Sequence, residues 1–303
     1  MRGHEIKNLP ASIQSRLMSL ARNSQRPYDE ILKYYSIERF LYRLSRSKYR
    51  DKFLLKGALL FQAWGMSKFR PTRDIDLMGY TANRIDTLVE IVREICIHPV
   101  EADGILFNSG SVRGERIKED ADYEGVRVRI QGHLGKVRLH IQIDVGFDDI
   151  VSPSPTDLKY PALLGMPSAE LSGYPAETVV AEKLQAMVRL GMVNSRMKDF
   201  YDLWAMAGRF KFRGPSLQYA ISQTFQHRST AITIDVPGLT LEFALGKQDQ
   251  WKAFLSRSML DDAPAELSDA IQLLHGFLIP VLNDSVEGKQ FAMNWMPGGP
   301  WKD

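Results

Sequence analysis

The sequence predicts an α+β protein, a mixed sheet with covering helices followed by a helical C-terminal domain, and three observations carry this. Two neighbouring runs, Gly125–Gln131 and Val137–Val145, alternate apolar and polar residues with the period of a strand. Residues 10–50 and 85–97 repeat their apolar residues at helical spacing. Beyond a stretch at 151–175 punctuated by Pro153, Pro155, Pro161, Pro167, Gly173 and Pro175, helical patterning dominates. That stretch predicts a boundary between a first domain at 1–160 and a second at 161–303.

In chain order, Ile13, Leu17, Leu20 and Ala21 define one helix. Ile31, Tyr34, Tyr35, Ile37, Phe40, Leu41 and Leu44 define another, and Pro27 separates the two. A short helix carrying Gly57 is expected from Phe53, leading to a strand at Asp74-Ile75-Asp76-Leu77. Leu88, Ile91, Val92 and Ile95 form the stripe of an amphipathic helix that covers a sheet face. The two alternating runs read as a hairpin looping through Gly132–Lys136, with Leu139, Ile141, Ile143 and Val145 in the core and His140, Gln142 and Asp144 opposite. Residues 208–213 and 235–241 read as loops, and Pro297-Gly298-Gly299-Pro300 as a loose tail.

Hydrophobic residues at 44% and charged ones at 25% are those of a globular protein able to bury a core. No apolar run approaches eighteen residues and no signal pattern follows Met1, so the expectation is a cytoplasmic protein with no membrane partner. A single cysteine, Cys96, excludes an internal disulfide framework and a cysteine-based zinc cluster. The net charge of +3 says little. Its distribution says more: Arg39, Arg43, Arg46, Lys48, Arg50 and Lys52 cluster near Tyr34, Tyr35, Tyr42 and Tyr49. Such a cluster reads either as a phosphate-binding, base-stacking surface or as a helix face turned to water.

Three segments carry chemistry. In the Arg70-Pro71-Thr72-Arg73-Asp74-Ile75-Asp76-Leu77 stretch, strand alternation puts Asp74 and Asp76 on one face, where like charges conflict unless a cation joins them. With Gly57 upstream, the pair suits Mg²⁺ and a nucleoside triphosphate, against the plainer reading of a solvated strand edge. Asp144, at the end of the second alternating run, either completes a three-carboxylate metal site or is a solvated strand-end residue. On the helix Ala176–Leu190, Lys183 and Glu177 fall inside an apolar arc of Val179, Val180, Leu184, Met187, Val188 and Leu190, while Glu182, Gln185 and Arg189 fall outside it. Lys183 then pairs with Glu177, snorkels to water, or faces a triphosphate. Asp199 and Asp202, at i and i+3, project from one side of a helix for which Ser195 offers an N-cap.

Taken together, Arg39-Phe40-Leu41-Tyr42-Arg43-Leu44, Leu55-Lys56-Gly57, the Asp74/Asp76 stretch, Glu177 with Ala181-Glu182-Lys183-Leu184-Gln185-Ala186, Arg196-Met197-Lys198-Asp199-Phe200-Tyr201-Asp202-Leu203, and Thr224-Phe225 with Arg228-Ser229-Thr230 resemble the AbiEii/AbiGii nucleotidyltransferase toxins of abortive-infection and toxin–antitoxin pairs. The resemblance implies a polymerase-β-like nucleotidyltransferase core followed by a helical domain. It also implies nucleotide transfer from an NTP, with the tRNA 3′ end as the leading acceptor, and a cognate antitoxin as partner. Asp74 and Asp76 would bind the metal and Lys183 the triphosphate. Asp199 would be the essential acid of the Arg-x-Lys-Asp motif, a general base. The implied nucleotide-binding set is Lys56, Gly57, Ala58, Arg73, Lys183, Arg196, Lys198 and Asp202. Where the family has Gly followed by Ser or Gly, this chain has Gly57-Ala58, which leaves backbone N–H groups rather than a hydroxyl to hold phosphate. The rival readings are a non-catalytic nucleotide-, RNA- or antitoxin-binding module and a small-molecule nucleotidyltransferase.

Overall fold

The computed structural model describes residues 8–66, 70–120 and 123–303, which divide into two compact units. The first holds the described residues up to 66, Pro71–Asp148 and Thr156–Gly173. The second holds Arg70, Asp149–Pro155 and Tyr174–Asp303.

The first unit begins with α1 (Leu9–Ser24), whose first turn is capped by the Asn8 side chain accepting from the Ala11 N–H, and α2 (Tyr28–Arg46), entered through Pro27. There follow β1 (Phe53–Lys56), α3 (Leu59–Ala63), β2 (Asp74–Gly79), α4 (Ile85–Cys96), β3 (Ile105–Asp120), β4 (Tyr123–Leu134), β5 (Val137–Gly146), β6 (Thr156–Tyr160) and β7 (Ala169–Gly173). The seven strands form one mixed sheet in the order β3-β4-β5-β2-β1-β7-β6, with β2–β5 and β1–β7 parallel and the other pairs antiparallel. Phe40 and Leu44 of α2 and Leu88, Val92 and Ile95 of α4 meet Leu77, Ile143 and Val145 of the sheet, so the apolar alternation of β2 and β5 becomes core. Burying one such side chain contributes about 1.5–3 kcal/mol.

Three expectations change here. Residues 53–56 form a strand rather than a helix. A short apolar run fits either, and Gly57, with φ of +70°, turns the chain before the helix begins at Leu59. Residues 151–175, read as a connection, contain the β6–β7 hairpin, because the prolines flank the strands instead of interrupting them. The β4–β5 loop is a tighter, two-residue turn at Gly135–Lys136, with Gly132 inside β4.

The cluster of basic residues and tyrosines is not a surface. Arg39 and Arg43 are 1% and 6% exposed, and Tyr34, Tyr35 and Tyr42 are buried beside them. Arg43 donates to both oxygens of Asp103 at 2.6 and 3.0 Å, and Arg39 donates to the Pro167 carbonyl at 2.7 Å. Only the end of the run, Arg46, Lys48 and Lys52, faces water. Guanidinium stems pack well among rings once each head is paired, which periodicity alone cannot reveal.

The second unit is mainly helical: α5 (Ala176–Leu190), α6 (Met197–Arg209), β8 (Phe212–Arg213), α7 (Gly214–His227), α8 (Leu241–Ser258), α9 (Leu267–Val286), β9 (Asn294–Trp295) and β10 (Trp301–Lys302). Two loop readings are refined, since 208–213 contains β8 and 237–239 a single 3₁₀ turn. The expected loose tail is docked. Trp295 and Trp301 are buried and donate their indole N–H groups to Ala207 O at 2.7 Å and Phe277 O at 2.9 Å, while β9 pairs with β8 and β10. Gly298 and Gly299, with φ of +81° and +77°, turn the chain between the two indoles. Among the described residues no helix is long and apolar enough to cross a membrane.

Candidate active site

In the first unit, β2 runs between β5 and β1 with Ile75 and Leu77 buried and Asp74 and Asp76 on the opposite face. Register aligns Lys56, Asp76 and Asp144 across three strands, and Asp74 with Gln142. Gly57 lies against the Asp76 carboxylate: a Cβ there would stand 2.0 Å from Oδ2 and 2.7 Å from Cγ. The turn therefore needs glycine twice over, for its positive φ and for its closeness to Asp76. Ala58 is buried at the head of α3, and Arg73 is exposed.

Asp144 differs from the other two acids. Arg127, its cross-strand neighbour on β4, donates Nε at 2.8 Å and Nη2 at 2.7 Å to its two oxygens, and Gln142 adds a bond at 3.3 Å. The expected third metal ligand is thus committed to a guanidinium. Among the described residues no three Asp, Glu, His or Cys side chains converge closely enough to hold a metal. Asp74 and Asp76 still fit Mg²⁺, which commonly takes one or two carboxylates and completes its shell with substrate phosphates and water. Lys33 of α2 is a neighbour that sequence reasoning passed over. Its ammonium donates to the His140 carbonyl, and its pKa is lowered, first by desolvation, with Asp74 opposing and Arg73 adding to the drop. Its one signal in the sequence is a charge set beside the apolar stripe of α2.

In the second unit, Lys183 takes up neither Glu177 nor open water. Its ammonium lies 2.6 Å from Asp199 Oδ1 and 2.8 Å from Asp202 Oδ2. Arg196 approaches Asp199 Oδ2 at 2.9 Å, and Arg70 binds both oxygens of Asp202 at 2.8 and 3.0 Å. Asp199 and Asp202 are 3% and 1% exposed at the side chain, so α6 presents two buried carboxylates to three cations. Helical i, i+3 spacing puts the acids on one side, as expected, and Arg70 is the member the sequence did not single out. The α6 entry is held by the Asn194 side chain, which accepts from the Arg196 N–H at 2.9 Å; Ser195 is not the cap. Lys198 faces solvent.

Electrostatics assigns the roles. Burial opposes ionisation of Asp199, but Lys183 and Arg196 overcome it and bring the carboxyl down to about 2. A carboxylate so acidic is a weak proton acceptor, which argues against the general base expected of it. Desolvation pulls the Lys183 pKa down, and Asp199 and Asp202 more than offset this, raising it. An ammonium has three N–H donors, and two are spent on the acids, so one remains for a further acceptor.

The Arg228-Ser229-Thr230 segment is structural to the same unit. Arg228 contacts Asp149 at 3.1 Å and Glu182 at 3.3 Å and donates to Gln185 Oε1 at 3.2 Å, while Gln185 donates to Thr230 Oγ1 at 2.8 Å. Gln185, which its helical angle places outside the apolar arc, is nevertheless buried, and its amide is satisfied by these bonds.

Two Helicobacter pylori crystal structures are similar to this chain. JHP933 aligns with a TM-score of 0.43 and 15% identity over 82% of this chain and 93% of its own. A protein described as a candidate nucleotidyltransferase aligns with a TM-score of 0.41 and 15% identity over 82% of this chain and 92% of its own. Likeness at that level carries no argument about chemistry. No curated protein matches the chain. The family model of the nucleotidyl transferase AbiEii toxin of type IV toxin–antitoxin systems, by contrast, matches residues 39–273. With that match covering most of its length, the chain belongs to the AbiEii family of nucleotidyltransferase toxins.

Proposed function

We propose that this nucleotidyltransferase uses Mg²⁺ to transfer a nucleotide from an NTP to the 3′ end of tRNA, and that the modified tRNA stops translation. The observation that carries the reading is the Asp74–Asp76 pair on one face of β2, with Gly57 pressed against the Asp76 carboxylate. When bound, Mg²⁺ would neutralise phosphate charge and orient the α-phosphate for in-line attack. Asp74 and Asp76 are the residues that would hold it. The turn at Lys56-Gly57-Ala58, with Arg73, offers backbone N–H groups and cations to the triphosphate. The acceptor hydroxyl gives up its proton to water and forms its bond to the α-phosphorus as the α–β bridging bond breaks and pyrophosphate leaves. In the second unit, the family resemblance assigns Lys183 to the triphosphate, where its remaining N–H and fixed positive charge, with the charges of Lys198 and Arg196, would suit phosphate. Asp199 and Asp202 keep Lys183 charged and in place, so they are positioning residues.

With Arg39 and Arg43 in the core, the tyrosine-rich run gives no support to an RNA acceptor over a small molecule. The test is incubation with Mg²⁺, each labelled NTP and total tRNA, comparing intact protein with Asp74→Ala and Lys183→Met. Label should enter tRNA with the intact protein. It should fall at least ~10³-fold for Asp74→Ala and ~10²-fold for Lys183→Met, the scale of losing charge stabilisation in a transition state. An undiminished Asp74→Ala protein would sink the metal assignment. Label in protein or in a small molecule would move the acceptor.

A further inference from the structure

The sheet of the first unit has two unlike faces. One is covered by α2 and α4. The other, across β3, β4 and β5, is polar and open. Register places Arg113 beside Arg129, and Arg129 beside Gln142. Gln131 lies beside His140, and Arg138 closes the row on β5. Strand alternation sets all of these opposite the buried Val128, Ile130, Leu139 and Ile141. Arg113, Arg129, Gln131, Arg138 and His140 are exposed. Arg129 pairs with Glu115 at 2.8 Å in an exposed, weak ion pair. Among the described residues neither Arg113 nor Arg138 has a carboxylate partner, and Arg113 donates only to the Gly110 and Val112 carbonyls.

This face continues onto β2, where Asp74 and Asp76 stand in register with Gln142 and Asp144. From Asp144 back to Arg138 the strand runs about 20 Å at ~3.3 Å per residue. We propose that a single-stranded RNA lies along this face, its phosphates on Arg113, Arg129 and Arg138 and its 3′ end toward Asp74 and Asp76. The inference rests on the reading that RNA is the acceptor. An acidic protein would also suit the guanidinium groups, but only an acceptor strand has to end at the carboxylate pair. The described side chains of the face include no Phe, Tyr or Trp, so recognition is through phosphates and binding is strongly salt-dependent.

The test uses the full chain. Affinity for a single-stranded RNA of about ten nucleotides is measured across salt concentrations for wild type, for Arg113→Glu/Arg129→Glu/Arg138→Glu, and for the milder Arg138→Gln. Each phosphate contact contributes ~0.7 to the slope of log affinity against log salt for single strands. The triple variant should therefore flatten the slope by about 2, and Arg138→Gln by about 0.7, with the thermal shift produced by NTP and Mg²⁺ unchanged. The KM for tRNA should rise at least ~10-fold in the triple variant. An unchanged slope overturns the proposal. So does displacement of the RNA by polyglutamate as readily as by RNA of matched charge, which would assign the face to an acidic protein. Wild-type transfer to tRNA with unaltered variants refutes the face and spares the acceptor. RNA binding with the predicted slopes but no transfer refutes the acceptor and spares the face.

Discussion

Gly57→Ala is the most informative single substitution. An alanine there must hold φ near +70°, which costs about 1–2 kcal/mol for a residue with a Cβ. Its Cβ would also fall 2.0 Å from Asp76 Oδ2, 2.7 Å from Cγ and 2.8 Å from Cβ. The contact reaches the base of the side chain, so a rotation of the carboxylate alone does not relieve it. Either Asp76 leaves its rotamer, at about 0.5–1.5 kcal/mol, or β1 and β2 part locally. The sum is about 2–3 kcal/mol. A unit of this size loses about 2–4 °C in Tm per kcal/mol, so the expected drop is roughly 5–10 °C. The catalytic loss should be larger than the stability loss, because displacing a carboxylate by about 1 Å can cost ~10²-fold. Differential scanning calorimetry reads the stability loss, and labelled-NTP transfer run below the lowered Tm reads the catalytic loss. A Gly57→Ala protein with unchanged Tm and full transfer would refute the reasoning, and one that lost stability without activity would show that Asp76 is not needed where it stands.

Two further outcomes are expected. Glu38 is buried with Arg39 and accepts from the Leu163 N–H at 2.8 Å; burial, against the pull of Arg39, raises its carboxyl from 4.5 to about 7. The folded state thus holds this proton more tightly than the unfolded chain, so the stability it contributes is full below pH 4.5 and is lost as pH rises through 7. Glu38→Gln mimics the protonated acid. It should be near neutral at pH 5 and gain up to about 3 kcal/mol at pH 8 in urea unfolding, whereas a gain independent of pH would contradict the assignment. Trp301→Ala removes a buried indole, its bond to Phe277 O and its edge-on contact with Phe291 at 4.7 Å, and should cost about 3 kcal/mol by denaturant unfolding. A cost below ~0.5 kcal/mol would return residues 294–302 to the status of a loose tail.

What the sequence made legible was whatever was amphipathic on one side. The stripes of α1, α2 and α4 and the alternation of β5 all follow from one side being apolar and the other wet. The failures have a common physical origin. β3 and β6 are the two edges of the sheet, where one partner is missing and polar residues are tolerated throughout, so the alternation that marks a strand fades. β1 is buried on both faces and loses its period altogether. Charge gave the opposite error. Arg39, Arg43 and Arg127 look like surface or ligand-facing residues in one dimension, and only tertiary structure supplies the Pro167 carbonyl, Asp103 and Asp144 to receive them. Arg70 could not be assigned because its carboxylate partner lies 132 positions away.

The chain builds its two units by alternation rather than in succession. It leaves the first at Asp148, gives Asp149–Pro155 to the second, and returns for the β6–β7 hairpin before committing to the second at Tyr174. Arg70 makes an earlier excursion of the same kind. No single cut therefore yields two complete halves. A protease nick at residue 173 would leave Arg70 and Asp149 on the fragment that lacks Asp202 and Arg228, and each half would keep ion-pair partners that belong to the other. Trimming this toxin to one unit would thus call for grafting peptide segments, and a gene split between the units would encode two incomplete cores rather than two working modules.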